Sequence, residues 1–268
     1  MDKPRVHLRE AGRGPGVVCL HANASGSAQW RELIDRLAAR HHVLAPDAYG
    51  AGCAPDWPPG RPLTLHDEVA LLEPALARAG EPLALVGHSY GGAVALVAAL
   101  QRPQRVCAMA LYEPTLFALV DAACPPPNDA DGIRAVLPRV LAALAAGRRD
   151  AAAGHFIDYW MGEGCWRSMP TPRRAGIEAA IVNAPHWADA LFGEPTPLPA
   201  FRRLHMPVLL MVGRDSPASA HAVARLLART LPNVDVLTFD GLGHMGPITH
   251  PETVNAAIED FLRRNAAR

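Results

Sequence analysis

Six short apolar runs recur along the chain, at 17–20, 43–45, 83–86, 106–111, 208–212 and 234–239, each bounded by Gly, Pro, Asp or Asn. Apart from Asp235 and Thr238 in the last, they are apolar rather than alternating, which is what a strand covered on both faces requires. The stretches between them carry helical spacing instead. Trp30, Leu33, Ile34 and Leu37 form one stripe, Val69, Leu72 and Leu76 a second, Val223, Leu226 and Leu227 a third, and Ile258, Phe261 and Leu262 a fourth. Strands that alternate with helices build a mostly parallel sheet with helices on both faces, so the fold class is α/β. Thr249 followed by Glu252 reads as a capping box for the last helix.

The alternation stops between about residues 113 and 205. That stretch holds Pro125-Pro126-Pro127, helical segments and no convincing strand. It also holds Phe117, Phe156, Tyr159, Trp160, Trp166, Trp187 and Phe192, seven of the fifteen Phe, Trp and Tyr residues. The reading is a core made of 1–113 and 205–268 with an inserted helical lid at 114–204. Most of these aromatics are expected to hold the lid together. Trp160, Trp187, Phe117 and Tyr159 are the candidates for lining a substrate pocket.

Charge and cysteine content exclude several functions. Lys plus Arg equals Asp plus Glu, 26 each, so no counterion-release drive favours nucleic acid or anionic lipid. The apolar run at 93–100 is too short to span a bilayer, and residues 1–10 carry no apolar signal core. Five cysteines, an odd number without a C-x-x-C pair, do not make a disulfide framework or a zinc knuckle. The expectation is a cytoplasmic protein that acts on a small molecule, with no nucleic-acid partner, no membrane insertion, no cofactor and no metal. The oligomeric state is not legible.

The pentapeptide Gly87-His88-Ser89-Tyr90-Gly91 carries the chemistry. It follows one apolar run and precedes the Ala-rich helical run at 93–100, the strand–turn–helix context of a nucleophile elbow. A turn that sharp needs neighbours without a bulky Cβ, which Gly87, Gly91 and Gly92 supply. Ser89 needs a base. Of the twelve histidines, His244 is the best placed, in a Gly-rich loop after the last apolar run and before the last helix. His88 reads as support, His21 as a residue bonded within its own loop, and His250 as a capping or surface residue.

Taken in chain order, these segments resemble the α/β-hydrolase superfamily in its serine-nucleophile, esterase- and lipase-like branch. His21-Ala22-Asn23-Ala24-Ser25-Gly26 is similar to the His-Gly oxyanion loop, with Ala22 in place of the Gly. Ala45-Pro46-Asp47-Ala48-Tyr49-Gly50-Ala51-Gly52 resembles the Asp-x-x-Gly-x-Gly loop, and Gly241-Leu242-Gly243-His244 the loop of the catalytic His. The resemblance implies an oxyanion hole made by the N–H groups of Asn23 and Tyr90, with Ala22 as the alternative donor.

It also implies an acid that orients His244, and here two positions compete. After the apolar run at 208–212, related sequences read Gly-x-x-Asp, whereas this chain reads Gly213-Arg214-Asp215-Ser216, so Asp215 stands one residue early. One strand earlier, Glu113 of Tyr112-Glu113-Pro114 offers a longer carboxylate. Asp215 is placed first, as the commoner position, and Glu113 second; Asp47 and Asp240 are weaker.

A Ser–His–acid set implies acyl transfer to water through an acyl-enzyme, on an ester, lactone or thioester of a small, partly apolar substrate. The same set serves carbon–carbon bond hydrolases and cofactorless acyltransferases. A reading of another class is a ligand-binding sensor on this fold with slow turnover.

Overall fold

The computed structural model describes residues 7–265. Seven strands form one sheet: β1 (Leu8–Ala11), β2 (Gly16–Leu20), β3 (His42–Pro46), β4 (Leu83–His88), β5 (Val106–Tyr112), β6 (Val208–Gly213) and β7 (Val234–Phe239). Their order is β1-β3-β2-β4-β5-β6-β7, parallel except for β1, which pairs antiparallel to β3. The sequence reading lacks β1. That strand has four residues, sits at the sheet edge and is only half-buried, so it has no apolar run to announce it.

Central strands are buried along their whole length, and successive side chains supply opposite cores. Val18, Leu20, Leu83 and Leu85 face one core; Val17, Cys19, Ala84 and Val86 face the other. Helices α1 (Arg31–Leu37) and α12 (Pro251–Asn265) cover the second face with Leu33, Ile34, Leu37, Ile258, Phe261 and Leu262. The first face carries α2 (Leu65–Ala79), α3 (Tyr90–Gln101) and α10 (Ala218–Thr230).

Between β5 and β6 the chain makes α4 (Phe117–Ala123), α5 (Asp131–Ala145), α6 (Arg149–Met161), α7 (Cys165–Ser168), α8 (Thr171–Ala180) and α9 (Ala184–Phe192), with no strand. The short helix α11 (Gly246–Thr249) precedes α12. Thr249 closes it, and its hydroxyl donates to the Met245 carbonyl at 3.2 Å, so it does not form the capping box expected from its spacing to Glu252. A capping box does form at Thr64, which starts α2 by exchanging bonds with Asp67.

The topology also sets where a site can form. From β3 the chain crosses to β4 on the far side of β2, so the crossovers leaving β2 and β4 diverge. A crevice opens at the carboxyl ends of strands at such a switch point. The loop 21–26 leaves β2 there and Ser89 leaves β4 there.

Candidate active site

Ser89 follows the last residue of β4 and directly precedes α3, with φ 54° and ψ −115°. The turn is possible because its flanks are stripped of side chains. A Cβ on Gly91 would lie 2.2 Å from the Leu20 carbonyl oxygen, and one on Gly87 2.7 Å from that of Gly91. Three non-glycine residues among those described have positive φ: Ala24, Ser89 and Glu113. Ala24 and Ser89 border one cavity and Glu113 is buried behind it, bonded to His244, and strain of this kind persists only where the surroundings over-determine it.

Ser89, His244 and Glu113 are brought into one chain of hydrogen bonds. Ser89 Oγ lies 2.9 Å from His244 Nε2, and His244 Nδ1 lies 2.6 Å from Glu113 Oε2. All three are buried, Glu113 completely. A carboxylate only accepts, so Nδ1 carries the proton and Nε2 is left bare to accept from the serine. The other Glu113 oxygen accepts from the Gly213 N–H at 2.7 Å and from the Ser216 hydroxyl at 2.6 Å. The Trp160 indole stacks on the His244 ring, centroids 3.9 Å apart.

The preference for Asp215 over Glu113 is therefore reversed by the fold. Asp215 has its backbone N–H on the Leu242 carbonyl, and it lines a groove with Tyr159 and Met161 rather than facing His244. Ser216, three residues after Gly213, donates its hydroxyl to the Glu113 carboxylate, which comes from the end of β5. Glu113 enters from the end of the neighbouring strand β5 and bonds His244 Nδ1 directly.

The alternative oxyanion donor is also corrected. The Ala22 N–H is engaged by Gln29 Oε1 at 3.1 Å. Tyr90 is the first residue of α3, where N–H groups have no helical partner, and Asn23 borders the cavity beside Ser89.

A buried relay that the sequence reading lacks ties these loops together. Gln29 Nε2 donates to His88 Nδ1 at 3.1 Å, and His88 Nε2 donates to the His244 carbonyl at 2.8 Å. Burial and the nearby His244 push the His88 pKa well below the ordinary histidine value, so the ring is neutral, as this pattern requires. Tyr112 Oη donates to the neighbouring Gly243 carbonyl at 2.8 Å. The His244 loop is thus held by side chains from the ends of both β4 and β5. Gln29 gave no motif signal: a lone glutamine joins this network only by tertiary approach.

Two further buried groups support the loops. His21 donates to the Ala22 carbonyl and accepts from the Ala48 N–H. Glu68 accepts from Tyr90 Oη at 3.0 Å and from the Tyr49 N–H at 3.2 Å, and burial pushes its pKa up to about 7.

Ser89 lies where two spaces meet. One is a wide mouth of about 540 Å³, bordered by Asn23, His244, Trp160, Met161, Arg31 and Arg173 among others. The other is a chamber of about 30 Å³, bordered by Asn23, Phe117, Trp160, Trp187, Leu191 and Phe192 among others. Of the four pocket candidates, Trp160, Trp187 and Phe117 reach these spaces. Tyr159 does not: its hydroxyl is bonded to Ser219 at 2.7 Å, and it faces the groove that holds Asp215.

Comparison with known proteins agrees with this architecture. The model of the alpha/beta hydrolase family matches residues 17–257. A lipase of Mycobacterium tuberculosis, LipV, is 29% identical over 96% of this chain and 97% of its own length. A 2-hydroxymuconate semialdehyde hydrolase of a Pseudomonas species is 25% identical over 96% of this chain and 90% of its own. The solved structure of an alpha/beta hydrolase from Sphaerobacter thermophilus superposes with a TM-score of 0.72 at 27% identity, covering 93% of this chain and 95% of that one.

Proposed function

The chain belongs to the alpha/beta hydrolase family and is an enzyme of the hydrolase class, and on that premise we propose that it cleaves an ester-like bond of a small, partly apolar molecule through an acyl-enzyme on Ser89. The observation that carries the reading is the unbroken chain from Ser89 Oγ through His244 to Glu113, 2.9 Å and 2.6 Å long.

In this reading His244 Nε2 takes the Ser89 proton as Oγ attacks the substrate carbonyl. The tetrahedral oxygen is received by the N–H groups of Asn23 and Tyr90, and the positive end of α3 favours its charge. His244 then returns the proton to the leaving oxygen as the carbon–oxygen bond breaks. Water, deprotonated by the same nitrogen, releases the acid and restores Ser89. Glu113 keeps the ring in its working tautomer and stabilises the imidazolium. Trp160 lies flat on that ring, where its π-face favours the same cation. Helices α4–α9 serve as a lid that excludes water from the acyl-enzyme. The five free thiols fit a cytoplasmic setting.

The relative named as a 2-hydroxymuconate semialdehyde hydrolase favours carbon–carbon bond hydrolysis as the second reading. The deciding experiment labels Ser89 with a fluorophosphonate and follows hydrolysis of an ester, lactone and thioester series. Ser89→Ala is expected to lose labelling and about 10⁴-fold or more of the turnover. Turnover retained in that variant would end the proposal. Labelling without turnover of any ester would favour a sensor, and turnover confined to a vinylogous diketone would favour the carbon–carbon reading.

A further inference from the structure

We infer that the two spaces meeting at Ser89 divide the substrate, the acyl portion entering the aromatic chamber and the leaving portion lying in the wide mouth, so that the enzyme selects esters of short acyl groups with large leaving portions. The inference rests on Ser89 acting as the nucleophile.

Proton geometry assigns the two ends. The leaving oxygen takes its proton from His244 Nε2, so the leaving portion must lie on the side that His244 faces. His244 borders the mouth and does not border the chamber. Asn23 and Ser89 border both. With the carbonyl oxygen in the oxyanion hole and the leaving group toward His244, the chamber is the direction left for the acyl chain.

Volume then limits that chain. The mouth holds about 540 Å³ and the chamber about 30 Å³. One water-sized group needs roughly 10–15 Å³ measured this way, so the chamber takes a chain of about two or three such groups. Its walls do not yield easily. Phe117 packs on Phe192 with ring centroids 5.1 Å apart, and Phe156 on Trp187 at 5.9 Å. Rings already in contact with one another have no free volume to retreat into. The mouth differs in size and lining: it carries Arg31, Glu32 and Arg173 beside Met161 and Ile177, which suits a large leaving portion of mixed polarity.

Octyl acetate and ethyl octanoate test the division, because they are isomers that differ in which side of the carbonyl carries the long chain. Octyl acetate is expected to show a kcat/KM at least about tenfold higher. Leu191→Ala, which enlarges the chamber, is expected to shrink that ratio by raising turnover of ethyl octanoate. Ala188→Leu, which narrows it, is expected to lower turnover of butyrate esters more than of acetate esters. Fluorophosphonate labelling of Ser89 in each protein separates the two levels of the argument. Labelled enzyme with equal rates or the reverse preference overturns the division alone; unlabelled Ser89 overturns the nucleophile reading and the division with it.

Discussion

Two strained turns sit side by side at the carboxyl ends of β4 and β5. Ser89 has φ 54° and Glu113 has φ 45°. The first turn is supported locally: glycines stand at 87, 91 and 92, where added side chains would strike backbone or Pro114 within 3.2 Å. The second has Tyr112 before it and Pro114 after it, and no glycine. It is supported from a distance, by the Gly213 N–H, the Ser216 hydroxyl and His244 on the carboxylate, and by the Met211 carbonyl on its own N–H. A turn stabilised by its neighbours in sequence leaves a motif, whereas a turn stabilised by its neighbours in space does not.

The sharpest way to break this comparison is to remove the charge from the second turn. Glu113→Gln is expected to reduce kcat on an ester by about 10⁴-fold, because it inverts the hydrogen-bond demand on His244. Asp215→Asn should stay within about threefold. A large loss in Asp215→Asn with little in Glu113→Gln would return the acid to β6. The first turn should fail differently, in stability rather than chemistry. A Cβ in Gly91→Ala would lie 2.2 Å from the Leu20 carbonyl, so a loss of about 3 kcal/mol in urea unfolding is expected.

Glu68 supplies a pH test of the elbow's surroundings. Its pKa is raised from 4.5 to about 7 by burial, so between those values the folded chain holds a proton that the unfolded chain has lost. Stability must therefore fall as pH rises through this window and level off above it, by a total of about 3 kcal/mol. Urea denaturation from pH 4.5 to 8 should show that fall in the wild type relative to Glu68→Gln; parallel profiles would mean the carboxyl is not in its buried, proton-favouring setting. A far smaller effect than that of Glu113→Gln is expected of Ser216→Ala, which removes one of three bonds to Glu113. A loss of about tenfold in kcat, with KM little changed, fits a bond of that kind to a charged group. An unchanged kcat would show that the Gly213 N–H suffices.

Much of the fold was open to reading because it rests on local chemistry. Fully apolar runs mark strands covered on both faces, and β2 to β6 are of that kind, while β7 mixes Asp235 and Thr238 into its run and is only partly buried. The half-buried edge strand β1 has no such run, and it escaped notice. Ser89 and His244, which the fold brings to 2.9 Å of each other, both stand in Gly-rich turns, and such turns advertise the residues they carry. Gln29 and His88 join Ala22 to His244 across 59 and 156 residues of chain, a relay that spacing cannot foretell. Tyr159 looked like a pocket residue because aromatics in a helical insertion all look alike until their partners are known.

By itself, the sequence determined the α/β architecture, the strand-to-helix turn that carries Ser89 and the Gly-rich loop that carries His244. Periodicity and glycine placement are properties of neighbours along the chain. Which carboxylate reaches His244, which N–H groups stay free around Ser89 and how space is partitioned on its two sides were decided only by the tertiary structure. Each of these depends on groups from different strands arriving within about 3 Å of one another, and a hydrogen bond loses its strength within a few tenths of an ångström of that distance.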